Sequence, residues 1–457
     1  MTKSPIRNEA ELRATLLRRT ALDLYLAGLA AVVPEVAIPR VMRVDGDTLI
    51  VGDRRYDLAC GRRLVVGGGK AAGMMAQVVE SVIGPGRIEA GLVVDKDLTA
   101  RPETVTVCRG GHPVPSPEGV EAAGRLLEIT RGLSPEDLVL CLISGGGSAL
   151  LTCPVDGVTL DDLQELNRLL LLSGAPIREI NTVRKHLSQI AGGRLAGRLA
   201  PGRVVTLVIA DTTETAYDAT ASGPTCPDPS TFAMAMEVLR RYDLAERPPP
   251  RVVAYLEKGV AGEVPETLKP GDAAFESVQR LVIASSRTAV AAAEQAAAAA
   301  GLRAEVLSAD LAGDVTDVAD RFAREAERRA GADGLCLLAA GEPTVRVTGS
   351  GKGGRCQELA ARMVPCLERL GSSVFLAAGT DGSDFLPGVG GAIVDSATAE
   401  RGRAKGLLLE RFLEANNTYA FHEALGNLIR SAPTNTNVRD LMVYIRSSAL
   451  AGPAPCP

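Results

Sequence analysis

Short apolar runs that end in glycines or acidic residues alternate with longer segments of helical periodicity, and this alternation constrains the fold more than any other feature. The runs are RRLVVGGG (62–69), EAGLVVD (89–95), DLVLCLISGGG (137–147) and RVVTLVIAD (203–211). Continuous apolar strands separated by helices indicate a parallel sheet that is covered on both faces. The first part of the chain is therefore predicted to form a Rossmann-like, doubly wound, mostly parallel sheet.

A change of composition predicts the domain organisation. The stretches 246–253 and 263–272 are polar and rich in proline, as a linker would be. After them the alternation restarts with a strand and the alanine-rich segment 288–301, which we expect to be a tightly packed helix. We expect a larger N-terminal α/β domain over 1–260 and a smaller α/β domain over 275–400, with the segment 400–457 packing back on the first.

Composition excludes several functional classes. Aromatic residues make up 3% of the 457 residues, the net charge is −5 and the pI is about 5.6, so neither base stacking nor a bulk basic surface is available for nucleic acid. The nine cysteines include no C-x-x-C pair, which argues against a zinc site. The N-terminus is typical of an amphipathic helix, not of a signal peptide, and no apolar run reaches 18 residues. A soluble, cytoplasmic protein without a membrane or nucleic-acid partner is expected.

Two glycine-rich loops of the first domain are candidate anion sites. Residues 65–73 contain the loose dinucleotide fingerprint Gly67-x-Gly69-x-x-Ala72 and Lys70, one of only eight lysines among 50 cationic residues. Residues 142–151 contain three consecutive glycines between Ser144 and Ser148. Backbone amides in such loops, which follow strands, attract phosphate or carboxylate groups.

Two further segments combine cations with glycines or with a helix. In 179–196, Arg184, Lys185 and His186 are adjacent, so a helix would point them in different directions and at most two could face one ligand. In 341–360, four glycines surround Lys352 and precede Arg355, which together suit a polyphosphate.

Aspartates at predicted strand ends complete the candidate site. Asp211 ends the strand 203–211, and Asp381 and Asp384 lie among glycines in 379–384. Carboxylates in such positions suit Mg²⁺ or a general base, although aspartates next to glycine also commonly form turns.

Taken together, these motifs resemble the class II glycerate kinases, the MOFRL family. The similar segments cover nearly the whole chain: Val66–Ala72, Gly110–Pro115, Ile143–Leu151, Glu179–Ser188, Ala221–Phe232, Gly341–Glu358 and the C-terminal ALGNLI and PTNTNVRDL. The resemblance implies two α/β domains with the active site in the cleft between them, the smaller being a MOFRL-type domain. It also implies phosphorylation of D-glycerate to 2-phosphoglycerate, dependent on ATP and Mg²⁺. A homodimer is left open.

The resemblance and the motifs together give a set of site residues. The catalytic residues are Lys70, Arg355 and Asp211, and the metal ligands are Asp211, Asp381 and Asp384. The substrate- and phosphate-binding residues are Gly68, Gly69, Ser144, Gly145, Gly146, Gly147, Ser148, Arg184, Lys185, Glu342, Lys352, Gly353, Gly354 and Gln357.

The chain departs from the family pattern in segments that carry acidic or amide groups. Glu214, Thr215 and Ala216 stand where the family has Gly-Asp-Asp, and Cys356 stands in place of an Asn. Asp384–Gly391 and Asn416–Tyr419 each lack an Asp. The apolar residues Phe385, Leu386 and Val389 would suit a less polar substrate than glycerate.

Two alternatives to the kinase remain open. One is a divergent family member that binds ligand without kinase turnover or performs other chemistry, which the missing aspartates motivate. The other is an NAD(P)-dependent, hydroxypyruvate-type reductase, for which the fingerprint requires an acidic residue about 20 positions further on. Glu89 has that spacing but precedes its strand, whereas Asp95 ends the strand.

Overall fold

The computed structural model describes residues 4–244 and 247–450, without the side chains of Glu214 and Thr215. The chain divides into two compact units. The central unit runs from Ala37 to Ile283, and the terminal unit combines the chain up to Val36 with the chain from Ala284 onward.

The elements follow one another in chain order. The strands are β1 (Met42–Asp45), β2 (Thr48–Val51), β3 (Arg54–Asp57), β4 (Arg63–Gly68), β5 (Ala90–Asp95), β6 (Val105–Arg109), β7 (Leu138–Ser144), β8 (Arg203–Ile209), β9 (Val278–Ala284), β10 (Arg303–Leu311), β11 (Leu335–Gly341), β12 (Ser373–Gly379), β13 (Val389–Asp395), β14 (Leu428–Arg430) and β15 (Asp440–Arg446). The helices are α1 (Glu9–Leu12), α2 (Leu16–Ala30), α3 (Pro34–Ala37), α4 (Ala72–Ile83), α5 (Pro117–Ile129), α6 (Gly147–Leu150), α7 (Leu160–Leu172), α8 (Ile177–His186), α9 (Arg194–Leu199), α10 (Phe232–Arg241), α11 (Pro250–Val260), α12 (Ser286–Ala299), α13 (Val315–Arg328), α14 (Arg355–Leu370), α15 (Thr398–Ala404), α16 (Leu409–Glu414) and α17 (Thr418–Ala424). Two 3₁₀ helices cover Glu214–Ser222 and Ala273–Phe275.

The central unit is built on a six-stranded sheet of order β6-β5-β4-β7-β8-β9, in which the first five strands pair in parallel. Val66 and Cys141 pack with α5 and α9 in one core cluster, whereas Val65 and Leu140, which point to the opposite face, are equally buried. On that opposite face α4 contacts β4, β5 and β7. The predicted mostly parallel sheet, covered on both faces, is confirmed.

A helical layer and a small sheet complete the central unit. Helices α7, α8, α10 and α11 enclose a separate core that includes Leu166, Val183 and Phe232. The strands β1, β2 and β3 form an antiparallel sheet of their own.

The terminal unit contains a mixed sheet of order β10-β11-β15-β12-β13-β14. Only β10 and β11 pair in parallel, and the remaining pairs are antiparallel. Helices α13 and α14 pack into the core cluster on one face, and α2 and α12 contact each other and strand β15. The α/β architecture predicted for the smaller domain is confirmed, and the alanine-rich helix is α12.

The unit boundaries differ from those predicted, because the N-terminal helix belongs to the terminal unit. Helix α2 contacts α12, β12 and β15. A Cβ atom on Gly28 would lie 2.6 Å from Leu441 Cδ2 and 2.9 Å from the Ala289 carbonyl, so the two helices approach within a distance that only glycine allows. Residues 400–450 likewise belong to the terminal unit, whose sheet they complete through β14 and β15.

A buried ion pair fixes α2 to the far end of the chain. The Arg18 guanidinium donates to Asp395 at the end of β13 and, at 2.8 Å, to Asn427 Oδ1. Arg18 is 2% exposed. Burial of such a charge is tolerated only when it is paired and hydrogen-bonded, so this contact selects one position for α2. No helix in the described part of the chain is long and apolar enough to cross a membrane.

We predict that Arg18→Met destabilises the terminal unit by about 3–5 kcal/mol, because it leaves the Asp395 carboxylate buried without its main partner. Urea unfolding of the full chain measures the effect. Arg19→Met, on an exposed position of the same helix, is the matched control and should change the free energy of unfolding by about 0.5 kcal/mol or less. Equal effects of the two substitutions would contradict a stabilising role for the pair.

Candidate functional site

Three neighbouring parallel strands of the central unit end at the same edge of the sheet, and the loops that follow them form the first candidate site. Strand β4 ends at Gly68, β7 at Ser144 and β8 at Ile209, with Ser144 opposite Ile209 in the register. Lys70 lies two positions after the end of β4, the triple glycine directly follows β7, and Asp211 lies two positions after the end of β8. This is the edge at which open α/β sheets bind ligands.

The first two loops are in direct backbone contact. The Lys70 amide donates to the Gly145 carbonyl at 2.9 Å, and the next amide donates to Ser144 Oγ at 3.0 Å. A Cβ atom on Gly69 would lie 2.2 Å from Ser144 Oγ, so a larger residue would push the loops apart. Gly146 has a φ of 82°, and its missing Cβ would lie 3.2 Å from Lys70 Cγ. The lysine side chain therefore starts beside the triple-glycine loop.

The third loop closes against the second. Asp211 is partly buried and precedes the 3₁₀ helix, whose last residue, Ser222, has its hydroxyl 2.7 Å from that of Ser148. A Cβ on Gly147 would lie 2.5 Å from Ala221 Cβ. The side chains of Glu214 and Thr215, at two of the family's Gly-Asp-Asp places, lie outside the described residues.

Asp95 has a structural role in the same sheet. Its carboxylate accepts hydrogen bonds from the Gly73 amide at 2.8 Å, at the start of α4, and from the Asp97 amide at 3.2 Å. Burial raises its pKa to about 6 despite these bonds. The other candidate, Glu89, forms an ion pair with Arg63 at 2.8 Å. Neither contact favours a ribose-binding acid, so the site does not favour the reductase alternative.

Helix α8 directs its three adjacent basic residues to different partners, as the helical geometry predicts. Arg184 Nε donates to Asn167 Oδ1 at 2.6 Å. Lys185 Nζ lies 3.3 Å from the Asp228 carboxylate, which is 1% exposed on its side chain. His186 is fully buried, its Nδ1 is 2.7 Å from the Thr182 carbonyl, and burial lowers its pKa. Lys185 thus has an internal carboxylate partner, and its role in ligand binding stays a prediction.

The glycine-rich loop of the terminal unit is fixed by the segment that precedes α17. Asn416 Oδ1 accepts from the amides of Thr348 and Gly349, both at 2.8 Å, and Asn417 Oδ1 accepts from the Lys352 amide at 3.2 Å. A Cβ on Gly351 would lie 2.4 Å from Asn417 Cβ. The glycines therefore permit close backbone packing, and they leave the Lys352 side chain exposed.

Arg355, at the start of α14, is held by two carboxylates. Its Nε and Nη2 donate to the two oxygens of Asp440 at 2.5 and 3.0 Å, and its Nη1 lies 3.0 Å from Glu342 Oε1. Burial disfavours the charged form of Arg355 and acts to lower its pKa. The two carboxylates together have the larger effect, so the pKa of Arg355 is raised. Asp440 is 1% exposed. No sequence pattern singles out Asp440 as a site residue, although it lies in the PTNTNVRDL motif.

The N-terminus of α14 is capped by Asp384. The Asp384 carboxylate accepts from the amides of Cys356 (3.1 Å) and Gln357 (2.9 Å) and from Gln357 Nε2 (2.9 Å). The Gln357 carbonyl is 2.8 Å from His422 Nε2, and Gln357 is fully buried. Asp384 thus caps the helix and Gln357 binds the cap, while the predicted roles of Asp384 as a metal ligand and of Gln357 as a substrate ligand stay predictions.

Asp381 is the remaining acidic candidate of this unit. It is partly buried, and its Oδ1 accepts from the Ser383 amide at 2.9 Å. Within the ranges 4–244 and 247–450, no group of three or more His, Cys, Asp or Glu residues is placed to hold a metal ion. Mg²⁺ commonly keeps several waters and binds through one or two carboxylates plus substrate phosphates, and Asp381 fits such a single contact.

The remaining departures from the family pattern are packed in different ways. Cys356 is fully buried, and burial together with Asp440 and Asp384 raises the pKa of its thiol. Thr418 is also buried, and a Cβ on Gly353 would lie 2.4 Å from its Oγ1. Phe385 is 84% exposed whereas Val389 is 3% exposed within β13, so these two side chains do not line one apolar pocket.

The chain is similar to known protein families and to individual proteins over most of its length. Residues 20–257 match the profile of a domain of unknown function (DUF4147), and residues 335–440 match the MOFRL family. The chain is 35% identical to a glycerate 2-kinase of Pyrococcus horikoshii over 442 residues, covering 94% of this chain and 98% of that protein. The crystal structure of a glycerate kinase from Thermotoga maritima is similar with a TM-score of 0.81 and 32% identity, covering 94% and 99% of the two chains. A protein of Agrobacterium vitis, provisionally named a hydroxypyruvate reductase, is 38% identical and covers 84% of this chain and 87% of its own length.

The cap at α14 generates a pH-dependent prediction. Burial, and then the charge of Asp440, raises the pKa of Asp384 to about 6, above the value of about 4 for an unfolded aspartate. The folded state therefore binds this proton more tightly, so the stability that it contributes is full below pH ~4 and is lost as the pH rises through ~6. The loss is on the order of 3 kcal/mol.

Denaturant unfolding of the wild type and of Asp384→Asn at several pH values measures this effect. The difference in free energy of unfolding, wild type minus variant, should decrease between pH ~4 and ~6, because the variant cannot titrate there. Asp317→Asn, at an exposed position on α13, is the matched control for the removal of one carboxylate. A constant or rising difference for Asp384→Asn would contradict the assignment.

Proposed function

Because the chain belongs to the glycerate kinase family, with its MOFRL segment at residues 335–440, we propose that it transfers a phosphoryl group from ATP to the 2-hydroxyl of D-glycerate. The observation that carries the proposal is the similarity to glycerate 2-kinases over 94% of the chain. The proposal is supported by the positions of Lys70, which lies between β4 and α4, and of Arg355, which begins α14, because the family's key lysine and arginine fall on these two residues. The products would be 2-phosphoglycerate and ADP.

Phosphoryl transfer depends mainly on positioning and on neutralising negative charge, and the central unit supplies both. The Lys70 amide binds the Gly145 carbonyl, and Lys70 Cγ lies near Gly146, so we propose that the lysine ammonium group and the amides of Gly145–Gly147 bind a phosphate together. Asp211, at the end of β8, is the proposed base that accepts the proton of the attacking hydroxyl while the bond from phosphorus to the ADP oxygen breaks.

The terminal unit carries cations of its own. Arg355 has a fixed orientation because Asp440 binds it through two hydrogen bonds, and the exposed Lys352 lies in the preceding glycine-rich loop. We assign both cations to the phosphates. Asp381 is the proposed protein contact of Mg²⁺, which when bound would neutralise charge on the transferred group.

The basic experiment is a coupled assay of ADP release by the purified chain with Mg-ATP and a panel of 2-hydroxy acids. The kinase proposal expects turnover with D-glycerate. Mg²⁺-dependent ATP binding without ADP release across the panel would instead support a ligand-binding member of the family. Oxidation of NADH by hydroxypyruvate would support the reductase.

We predict that Lys70→Ala lowers kcat by about 10²- to 10³-fold, the usual loss for a group that stabilises transition-state charge. Circular dichroism should be unchanged, since the lysine side chain is only partly buried. The matched control is Lys96→Ala, which removes an exposed lysine at the end of the neighbouring strand β5. Comparable kcat values for the two variants would rule out the assigned role of Lys70.

We also predict that Asp440→Asn lowers kcat by at least about tenfold, because Arg355 loses the charged partner that orients it. Glu342→Gln should have a smaller effect, since the Glu342 side chain is 51% exposed and its pair is screened by solvent. Steady-state kinetics give both values. If Asp440→Asn changed only the melting temperature and left kcat intact, Asp440 would have a structural role alone.

A further inference from the structure

A cavity of about 280 Å³ lies in the central unit beside the triple-glycine loop. Helices α6, α7 and α8 contribute to its walls, and Gly146 and Ser148 lie at its border with the loop that contacts Lys70. Most of its surface is apolar, formed by side chains that include Leu151, Leu163 and Leu187. The cavity is thus adjacent to the proposed phosphoryl-transfer site without containing Lys70 or Asp211.

Arg184 is the charged side chain that lines this cavity. Its Nε donates to the amide oxygen of Asn167, which also lines the cavity, and no carboxylate of the described chain forms an ion pair with it. Burial accordingly lowers the pKa of Arg184. The next residue, Lys185, has the Asp228 carboxylate as its partner, so the helix pairs one cation internally and leaves the other for the cavity.

A partly buried guanidinium without a carboxylate partner is less well stabilised than a paired one, and an anionic ligand would stabilise it. The planar guanidinium matches a carboxylate through two parallel hydrogen bonds. A single cation in a largely apolar cavity balances one negative charge, whereas a phosphate would bring up to two. The chemistry of the lining therefore favours a monocarboxylate.

We propose that this cavity binds the carboxylate of the hydroxy acid substrate through Arg184, and that its leucine-lined wall accepts 2-hydroxy acids with larger, less polar substituents than glycerate. This inference rests on the proposed kinase function, since it places the acid next to the loop that contacts Lys70. The hydroxyls of Ser148 and Ser222 line the same cavity and are available to polar groups of the acid.

Calorimetric titration of the full chain, with and without a non-hydrolysable ATP analogue, tests the role of Arg184. The probes are D-glycerate and its neutral amide. The wild type should prefer the acid, and Arg184→Gln should weaken acid binding by about 10- to 100-fold and remove the preference over the amide. Arg178→Gln, which changes an exposed arginine on the same helix, should leave both affinities unchanged. An acid preference that survives in Arg184→Gln would overturn the proposal, as would the absence of acid binding to the wild type.

The apolar wall is tested with 2-hydroxybutanoate and 2-hydroxy-3-methylbutanoate in the same titrations. We expect the wild type to bind these acids at least as tightly as D-glycerate, and Leu163→Asn to weaken them by about tenfold while changing glycerate less. Rejection of both acids by the wild type would overturn the statement about substrate class.

The two proposals fail separately. Acid binding that depends on Arg184 but yields no ADP with Mg-ATP would contradict the kinase and leave the carboxylate site intact. Turnover of D-glycerate with an unchanged KM in Arg184→Gln would contradict the carboxylate site and leave the kinase intact.

Discussion

The backbone contact between two glycine-rich loops at the end of the parallel sheet is the constraint on which the central unit depends. A Cβ atom on Gly69 would lie 2.2 Å from Ser144 Oγ, so no side chain fits between them, and a Cβ atom on Gly146 would lie 3.2 Å from Lys70 Cγ. This packing places Lys70 beside the triple-glycine loop, at the edge where α/β sheets bind ligands. The contact between the two loops and the position of the Lys70 charge thus depend on glycines that larger residues could not replace without moving the backbone.

The charged groups of the terminal unit are ordered by buried carboxylates. Asp440 orients Arg355, and Asp384 caps the helix that Arg355 begins. Two buried carboxylates therefore determine where the Arg355 guanidinium lies. Orientation in advance of binding is what phosphoryl transfer requires, since its catalysis relies on placed charge more than on covalent chemistry. The missing family aspartates therefore do not remove the charge arrangement around Arg355.

The sequence predicted the features that depend on local pattern and missed those that depend on distant contacts. Apolar runs followed by glycines located β4 and β7, and helical geometry separated Arg184 from Lys185. No local signal shows that Asp384 reaches the amides of Gln357, 27 positions away, or that Asp440 pairs with Arg355, 85 positions away. The position of α2 was missed for the same reason, because Arg18 finds its partner at Asp395.

The central claim is that Lys70 and its glycine loop support transfer of a phosphoryl group to a hydroxy acid. The most direct measurement is a single turnover with ATP labelled in its terminal phosphate, enzyme in excess and D-glycerate present. The account predicts that the label appears in 2-phosphoglycerate with the wild type and that transfer is slowed by orders of magnitude with Lys70→Ala. Label that remains in ATP, or that is released only as inorganic phosphate by the wild type, would contradict it.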